Sequence, residues 1–264
     1  MQIKTNDSHT PIFDDSMTHK IFKKGQKIER IKHQGQSVWV KRPEATRSSL
    51  FHRLIANATK LTLLMPVQAK TQQESLAFES EKLQTLALLG LPVANVIEQT
   101  EHFLYLSDTG LDLRRYLKKT ALSQTERTEV ILKALKVLAS IHNAGHYHAG
   151  AQIKNYTIDQ QGVVSAIDFE DSFAEHNALI DIQYRDVFLF LMSISPYSDH
   201  ETFQHVIDSY LSITSKYQIK EKLQYVADRA RPLMKLLAWL DTHNKKLSRD
   251  IASTYSLLMF LKTL

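Results

Sequence analysis

The chain contains no cysteine in its 264 residues. That removes disulfides, thiolate metal sites and cysteine nucleophiles together, and leaves the compartment open. No apolar run approaches the roughly 20 residues needed to span a bilayer. The opening residues Met1-Gln2-Ile3-Lys4-Thr5-Asn6-Asp7 lack the apolar core of a secretory signal, so a cytoplasmic protein is expected. Glycine is scarce, with seven in all: Gly25, Gly35, Gly90, Gly110, Gly145, Gly150 and Gly162. Each stands at a predicted turn, cap or loop, and none occurs in the helical region that follows. Internal repeats, low-complexity tracts and long linkers are absent.

What is present describes an ordinary globular protein, 43% hydrophobic and 23% charged, long enough for one sizeable domain or two small lobes sharing a cleft. The net charge of +5 is concentrated. Between Lys41 and Lys70 stand six basic residues against Glu44 alone, an excess equal to that of the whole chain. Such a patch suits an anionic partner, a phosphate-bearing lipid, a nucleic acid or a membrane surface, with a solvated helix face as the alternative.

Hydrophobic periodicity divides the chain in two. Residues 1–16 read as a loose leader. Lys20-Ile21-Phe22, Lys27 to Lys32 and Ser37 to Lys41 read as three short strands separated by Lys24-Gly25-Gln26 and His33-Gln34-Gly35-Gln36. Alternation puts Val38 and Val40 on one face of the third, Trp39 and Lys41 on the other. A basic amphipathic helix is expected over 48–65, fit either to lie on anionic lipid or to pack on the protein. A second helix, Gln73 to Leu89, carries Leu76, Leu83 and Leu86 as its buried stripe, with Glu79 and Glu81 inside it, and ends at Gly90 before Pro92. Strands follow at Val93–Ile97 and His102–Leu106, then a connector, Ser107 to Gly110. From Leu113 onward the patterns are helical, interrupted by one hairpin about Gly162. The implied class is α+β: a strand-rich part over 17–106 and a mainly helical part over 107–264, with a polar loop segment at 146–171.

That loop segment carries the densest chemistry. An apolar helix ends at Gly145, and His148 and Asn155 follow at a spacing of seven. A short strand, the Gly162 turn and a second strand lead to Asp168-Phe169-Glu170. An amide and a carboxylate held together are hard oxygen ligands suited to a nucleotide-bound Mg²⁺. His142 and His146 lack a carboxylate ligand in register, which argues against zinc.

These elements, in this order, resemble the protein-kinase-like superfamily over roughly residues 20–193. The nearest group is the bacterial lipopolysaccharide kinases, which phosphorylate core heptose or 3-deoxy-octulosonic acid. The resemblance implies a bilobal fold with a small strand-rich N-lobe and a larger helical C-lobe. It implies ATP and Mg²⁺ as cofactors and a sugar or lipid-linked acceptor at the inner face of the membrane, with peripheral contact through 47–60. Lys41 matches the strand lysine that holds the α- and β-phosphates, and Glu79 the helix glutamate paired with it, with Glu81 as fallback. Leu104 to Ser107, including Leu106, match the hinge that meets adenine, and Gly25 the phosphate-covering loop. Asn155 and Asp168 match the metal ligands, His148 a structural loop residue and Asp186 its brace.

One position departs from the pattern. Gly150 stands where the catalytic-loop Asp belongs, and glycine cannot accept a proton. Asp171 and Glu170 are the candidates to replace it, and Lys154 is placed to neutralise the transferred phosphate. Two alternatives stay open: a pseudokinase that binds nucleotide without turnover, and a relative of the kinase subunit of the tRNA threonylcarbamoylation machinery. The second is weakened because no aromatics interleave with the basic residues to stack bases.

Overall fold

The computed structural model describes residues 12–23, 26–42, 65–231 and 249–264. Gly25 and the basic helix expected over 48–65, with its proposed membrane contact at 47–60, lie outside them. The described residues form an α+β fold with two antiparallel sheets and, beyond them, mainly helices.

The first described helix is α1, Asp15–Ile21, where Lys20-Ile21-Phe22 was expected to form a strand. Asp14 decides this by accepting the Ser16 N–H at 2.8 Å as an N-cap. Tertiary contacts then hold the helix. Thr18 is buried and accepts from the Tyr105 hydroxyl at 2.9 Å, Phe13 stacks on Tyr105, and Phe22 stacks on Phe103. The segment therefore covers one face of a sheet instead of joining it.

Strands β1, Ile28–His33, and β2, Gln36–Lys41, form the expected hairpin. Gln34 and Gly35 both have positive φ, 49° and 80°, the geometry of a two-residue turn matched to strand twist. Strands β3, Val96–Gln99, and β4, Leu104–Ser107, complete a sheet of order β1-β2-β4-β3. Val38 and Val40 face the small core of Phe13, Phe22, Phe103 and Tyr105. Trp39 and Lys41 face the other way, as the alternation requires.

Helix α2, Gln72–Leu88, opens with a capping box between Thr71 and Glu74. Its buried positions Leu76, Glu79, Leu83 and Leu86 recur at spacings of three and four, so Glu79 shares the apolar stripe facing the sheet. Strand β5, Leu111–Asp112, leads into helix α3, Leu113–Lys119, and helix α4, Gln124–Asn143, follows with its own box from Ser123 to Glu126. Beyond it a short 3₁₀ turn, Ile153–Asn155, enters strands β6, Tyr156–Ile158, and β7, Val164–Ala166, in the sheet β5-β6-β7. Ala166 N–H donates to Pro92 O at 2.9 Å, which ties β7 to the segment between α2 and β3. Helices α5, Leu179–Ile194, α6, His200–Thr214, α7, Gln218–Arg229, and α8, Arg249–Leu261, pack behind them. Among the described residues no helix is long and apolar enough to cross a membrane.

Candidate functional site

A cavity of about 470 Å³ opens between the inner face of β2 and β4 and the β6–β7 hairpin. Its lining comes from segments far apart in sequence. Trp39 and Lys41 come from β2, Glu79 from α2, and Leu106, Ser107, Thr109 and Gly110 from the end of β4 and the link beyond it. Lys154, Asn155, Asp168 and Glu170 come from the loop segment.

Lys41 is its electrostatic centre. Nζ lies 2.8 Å from Glu79 Oε2, 2.6 Å from Asp168 Oδ1 and 3.1 Å from Glu170 Oε2. Burial pushes the ammonium down, but the three carboxylates outweigh that and hold its pKa well above the ordinary value, so it stays charged. Glu79 goes the other way. Its burial outweighs Lys41, and its pKa is raised. For Asp168, burial opposes ionisation, but the charge and hydrogen bond of Lys41 prevail and keep it below the ordinary range.

The backbone at Asp168 is left-handed, φ 71°, a conformation that aspartate tolerates better than most residues but that still carries strain. The consequence is geometric. Asp168 meets Lys41 while the next amide, Phe169 N–H, donates to Glu79 Oε1 at 3.3 Å. Glu79 thus anchors both the lysine and the segment that carries Asp168. Phe169 is buried and stacks on His148, with ring centroids 4.4 Å apart.

Asn155 is tied in from the other side. Its Nδ2 donates to Gly150 O at 2.8 Å, which leaves Oδ1 as the amide's remaining polar end, and its carbonyl accepts Ile167 N–H at 2.9 Å. The loop from His148 to Gly150 is held by Asp186, whose Oδ2 accepts His148 N–H at 2.7 Å and Ala149 N–H at 3.2 Å. Arg185 donates to Ala149 O, and His142, between Tyr210 and Asp186, closes the network beneath. Burial opposes the Asp186 charge, but the hydrogen bond and charge of His142, with His148 and its amide, keep the carboxyl below its usual range.

Of the residues expected from sequence, the structure gathers Lys41, Glu79, Asn155, Asp168 and Leu106 around one cavity. Leu104 is not among its lining. It is fully buried, paired with Lys41 and Gln99, so the cavity-facing stretch begins two residues later, at Leu106 and Ser107, and continues to Thr109 and Gly110. Asp171 is not in the lining either, whereas Glu170 is. Burial and its neighbour Glu170 push the Asp171 carboxyl up, against Arg185 and Lys70. Glu81 is exposed, since a step of two on a helix turns to the opposite side. Trp39 escaped notice as a site residue. Its Nε1 donates to Asp108 at 3.1 Å, and Asp108 also accepts Gly110 N–H and pairs with Arg30, which pins the indole at the cavity wall. The signal was available, because Trp39 lies two residues from Lys41 on the same strand face.

Lys154 and Arg115, the latter paired with Asp112, add positive charge at the cavity, whereas the Arg42 guanidinium turns to the other face of the sheet, over Phe22. Among the described residues no group of three His, Asp or Glu side chains is arranged to hold a metal ion. No protein-family model matches the chain. An uncharacterized protein of Haemophilus influenzae is 24% identical over 152 residues, 58% of this chain and 56% of that protein. The chain therefore spans little more than half the length of that relative.

Proposed function

We propose that the protein is an ATP- and Mg²⁺-dependent phosphotransferase with a protein-kinase-like bilobal fold, of the kind seen in lipopolysaccharide kinases, acting on a sugar or lipid-linked acceptor. One observation carries this reading. Lys41 is ion-paired to Glu79 in the cavity that Asn155 and Asp168 also line. Phosphoryl transfer needs positioning and charge neutralisation more than covalent participation by the protein, and this is an arrangement that supplies both.

In this reading Glu79 fixes the direction of the Lys41 ammonium, which holds the nucleotide's phosphates. Trp39, Leu106, Ala94 and Ile167 offer the base an apolar wall. Asp168 and the Oδ1 of Asn155 are all-oxygen donors of the type Mg²⁺ takes, one carboxylate and one amide, with phosphate oxygens completing the set. They fit the ion, which would neutralise developing charge on the phosphates. Lys154 stands at the same cavity and adds positive charge beside Asp168. The acceptor class rests on the sequence resemblance.

Gly150 favours a second reading, a nucleotide-binding pseudokinase. No carboxylate can be supplied from that position, and catalysis without one relies on charge stabilisation alone. A Cβ at Gly150 would meet only Asn155 Nδ2, at 3.4 Å, so aspartate is sterically admissible there.

Isothermal titration with Mg-ATP tests the main reading, with binding expected for the wild type and at least about tenfold weaker for Asp168→Ala, a loss of about 1.4 kcal/mol. Equal binding by the two proteins refutes it. ATP turnover by Gly150→Asp but not by the wild type assigns the natural protein to the pseudokinase reading.

A further inference from the structure

An ammonium has three N–H donors. At Lys41 two of them go to Glu79 and Asp168, and three carboxylates crowd the ammonium: Glu79 at 2.8 Å, Asp168 at 2.6 Å and Glu170, as an ion pair, at 3.1 Å. Two donors are held by hydrogen bonds and Glu170 lies against the same ammonium as an ion pair, so an incoming phosphate meets a carboxylate already at Lys41. The three are not equally replaceable. The Glu79 side chain is 3% exposed, sits on the buried stripe of α2 and also accepts Phe169 N–H. Asp168 makes the closest contact and is fixed by its left-handed backbone between β7 and the buried Phe169. Glu170, as exposed as Asp168 at 34%, makes the longest contact, accepts no hydrogen bond from Lys41, and has Lys41 as its one ion-pair partner among the described residues.

We propose that Glu170 is an internal occupant of the phosphate position at Lys41, so that the cavity excludes metal-free phosphates and admits nucleotide as its divalent-cation complex. The inference rests on the nucleotide reading above and adds a rule for loading. Charge supplies the reason. Three carboxylates against one ammonium leave an excess of two negative charges at the spot where an anion must enter, and close like charges in a partly desolvated cavity repel strongly. A divalent cation cancels that excess. Glu170 would then be free to leave Lys41, and the third N–H, which neither Glu79 nor Asp168 accepts, would donate to phosphate. Lys154 and Arg115 at the cavity edge attract the anion, and Glu170 decides the form in which it is accepted.

The test compares the full-length wild type with Glu170→Gln and Glu170→Ala. Titration calorimetry measures inorganic tripolyphosphate and ATP, each in EDTA and in excess Mg²⁺, and circular dichroism shows that the variants fold. In EDTA both variants are expected to bind either anion at least about tenfold tighter than the wild type, about 1.4 kcal/mol. The gain in ATP affinity on adding Mg²⁺ should shrink correspondingly. Folded variants that bind metal-free anions no better than the wild type overturn the proposal. If no protein binds Mg-ATP, the nucleotide reading falls. The tripolyphosphate arm still judges Glu170, because it requires only an anion at Lys41.

Discussion

Lys41→Met gives the sharpest test of the electrostatics, because it keeps most of the stem's bulk and removes only the charge. In the wild type Glu79 is a carboxylate with 3% of its side chain exposed, balanced by an ammonium 2.8 Å away. Breaking a buried pair by removing one partner costs about 3–5 kcal/mol. Asp168 and Glu170 are each 34% exposed and can be rehydrated, so the cost falls on Glu79. The low end, about 3 kcal/mol, is therefore expected near neutral pH, a large share of a typical stability of about 5–15 kcal/mol.

The pH dependence identifies the source. Burial already raises Glu79 above its ordinary 4.5, and Lys41 is the group that opposes this. Without Lys41 the folded-state pKa rises further above the unfolded value, so the folded variant binds a proton that the unfolded chain releases, and the variant gains stability as pH falls toward the ordinary carboxylate range. The wild-type background runs the opposite way. Burial lowers His142 and His148 below their ordinary 6.5, so the unfolded chain takes up protons first and stability is lost as pH falls through that value. Both proteins share the histidine loss, and their difference reports the carboxylates that Lys41 holds, Glu79 and Asp168, which shift in the same direction when it is removed. Urea unfolding followed by circular dichroism at about pH 7.5, 6.5 and 5.5 should show the gap between the two proteins narrowing as pH falls. A gap below about 1 kcal/mol at the highest pH, or one that stays constant, refutes the argument.

Two further substitutions probe the parts that hold the cavity open. At Gly110, φ is 104° and a Cβ would lie 2.1 Å from the carbonyl oxygen of Ile158, so Gly110→Ala should cost at least about 2 kcal/mol and lower the melting temperature by several degrees. An unchanged melting temperature would show that the link to β6 is looser than drawn. Asp186→Ala leaves the His148 and Ala149 amides without their acceptor in a buried site, an expected loss of about 2–4 kcal/mol. Hydrogen exchange should accelerate at those two amides, with Asp186→Asn intermediate, and unchanged protection would remove Asp186 from its bracing role.

Much of this arrangement could be read from local sequence because it depends on local chemistry. Gln34-Gly35 specifies a two-residue turn through its positive φ angles, and the strands beside it alternate faces by geometry alone. Thr71 and Glu74 announce the start of α2. The stripe of Leu76, Leu83 and Leu86 assigns Glu79 to the buried side and Glu81 to solvent, since period 3.6 leaves no other choice. The spacing of Asn155 and Asp168 about a Gly162 turn is likewise a property of one short hairpin.

The remainder required the folded chain. Residues 15–21 became helix because Asp14 caps them and because Tyr105 and Phe103, some 90 residues on, offer Thr18 and Phe22 a surface. Leu104 shares its strand face with the cavity-lining Leu106 but is fully buried in the main core with the stripe of α2, a matter of packing that no local pattern encodes. Glu170 faces Lys41 while Asp171 does not, because the left-handed turn at Asp168 and the burial of Phe169 set the phase of the residues that follow. The sequence alone determined which charged groups the chain carries and on which side of each element they lie. The tertiary structure decided that three carboxylates meet on one ammonium, because only the packing of α2 against β2 and the β6–β7 hairpin brings residues 41, 79, 168 and 170 within ion-pair distance.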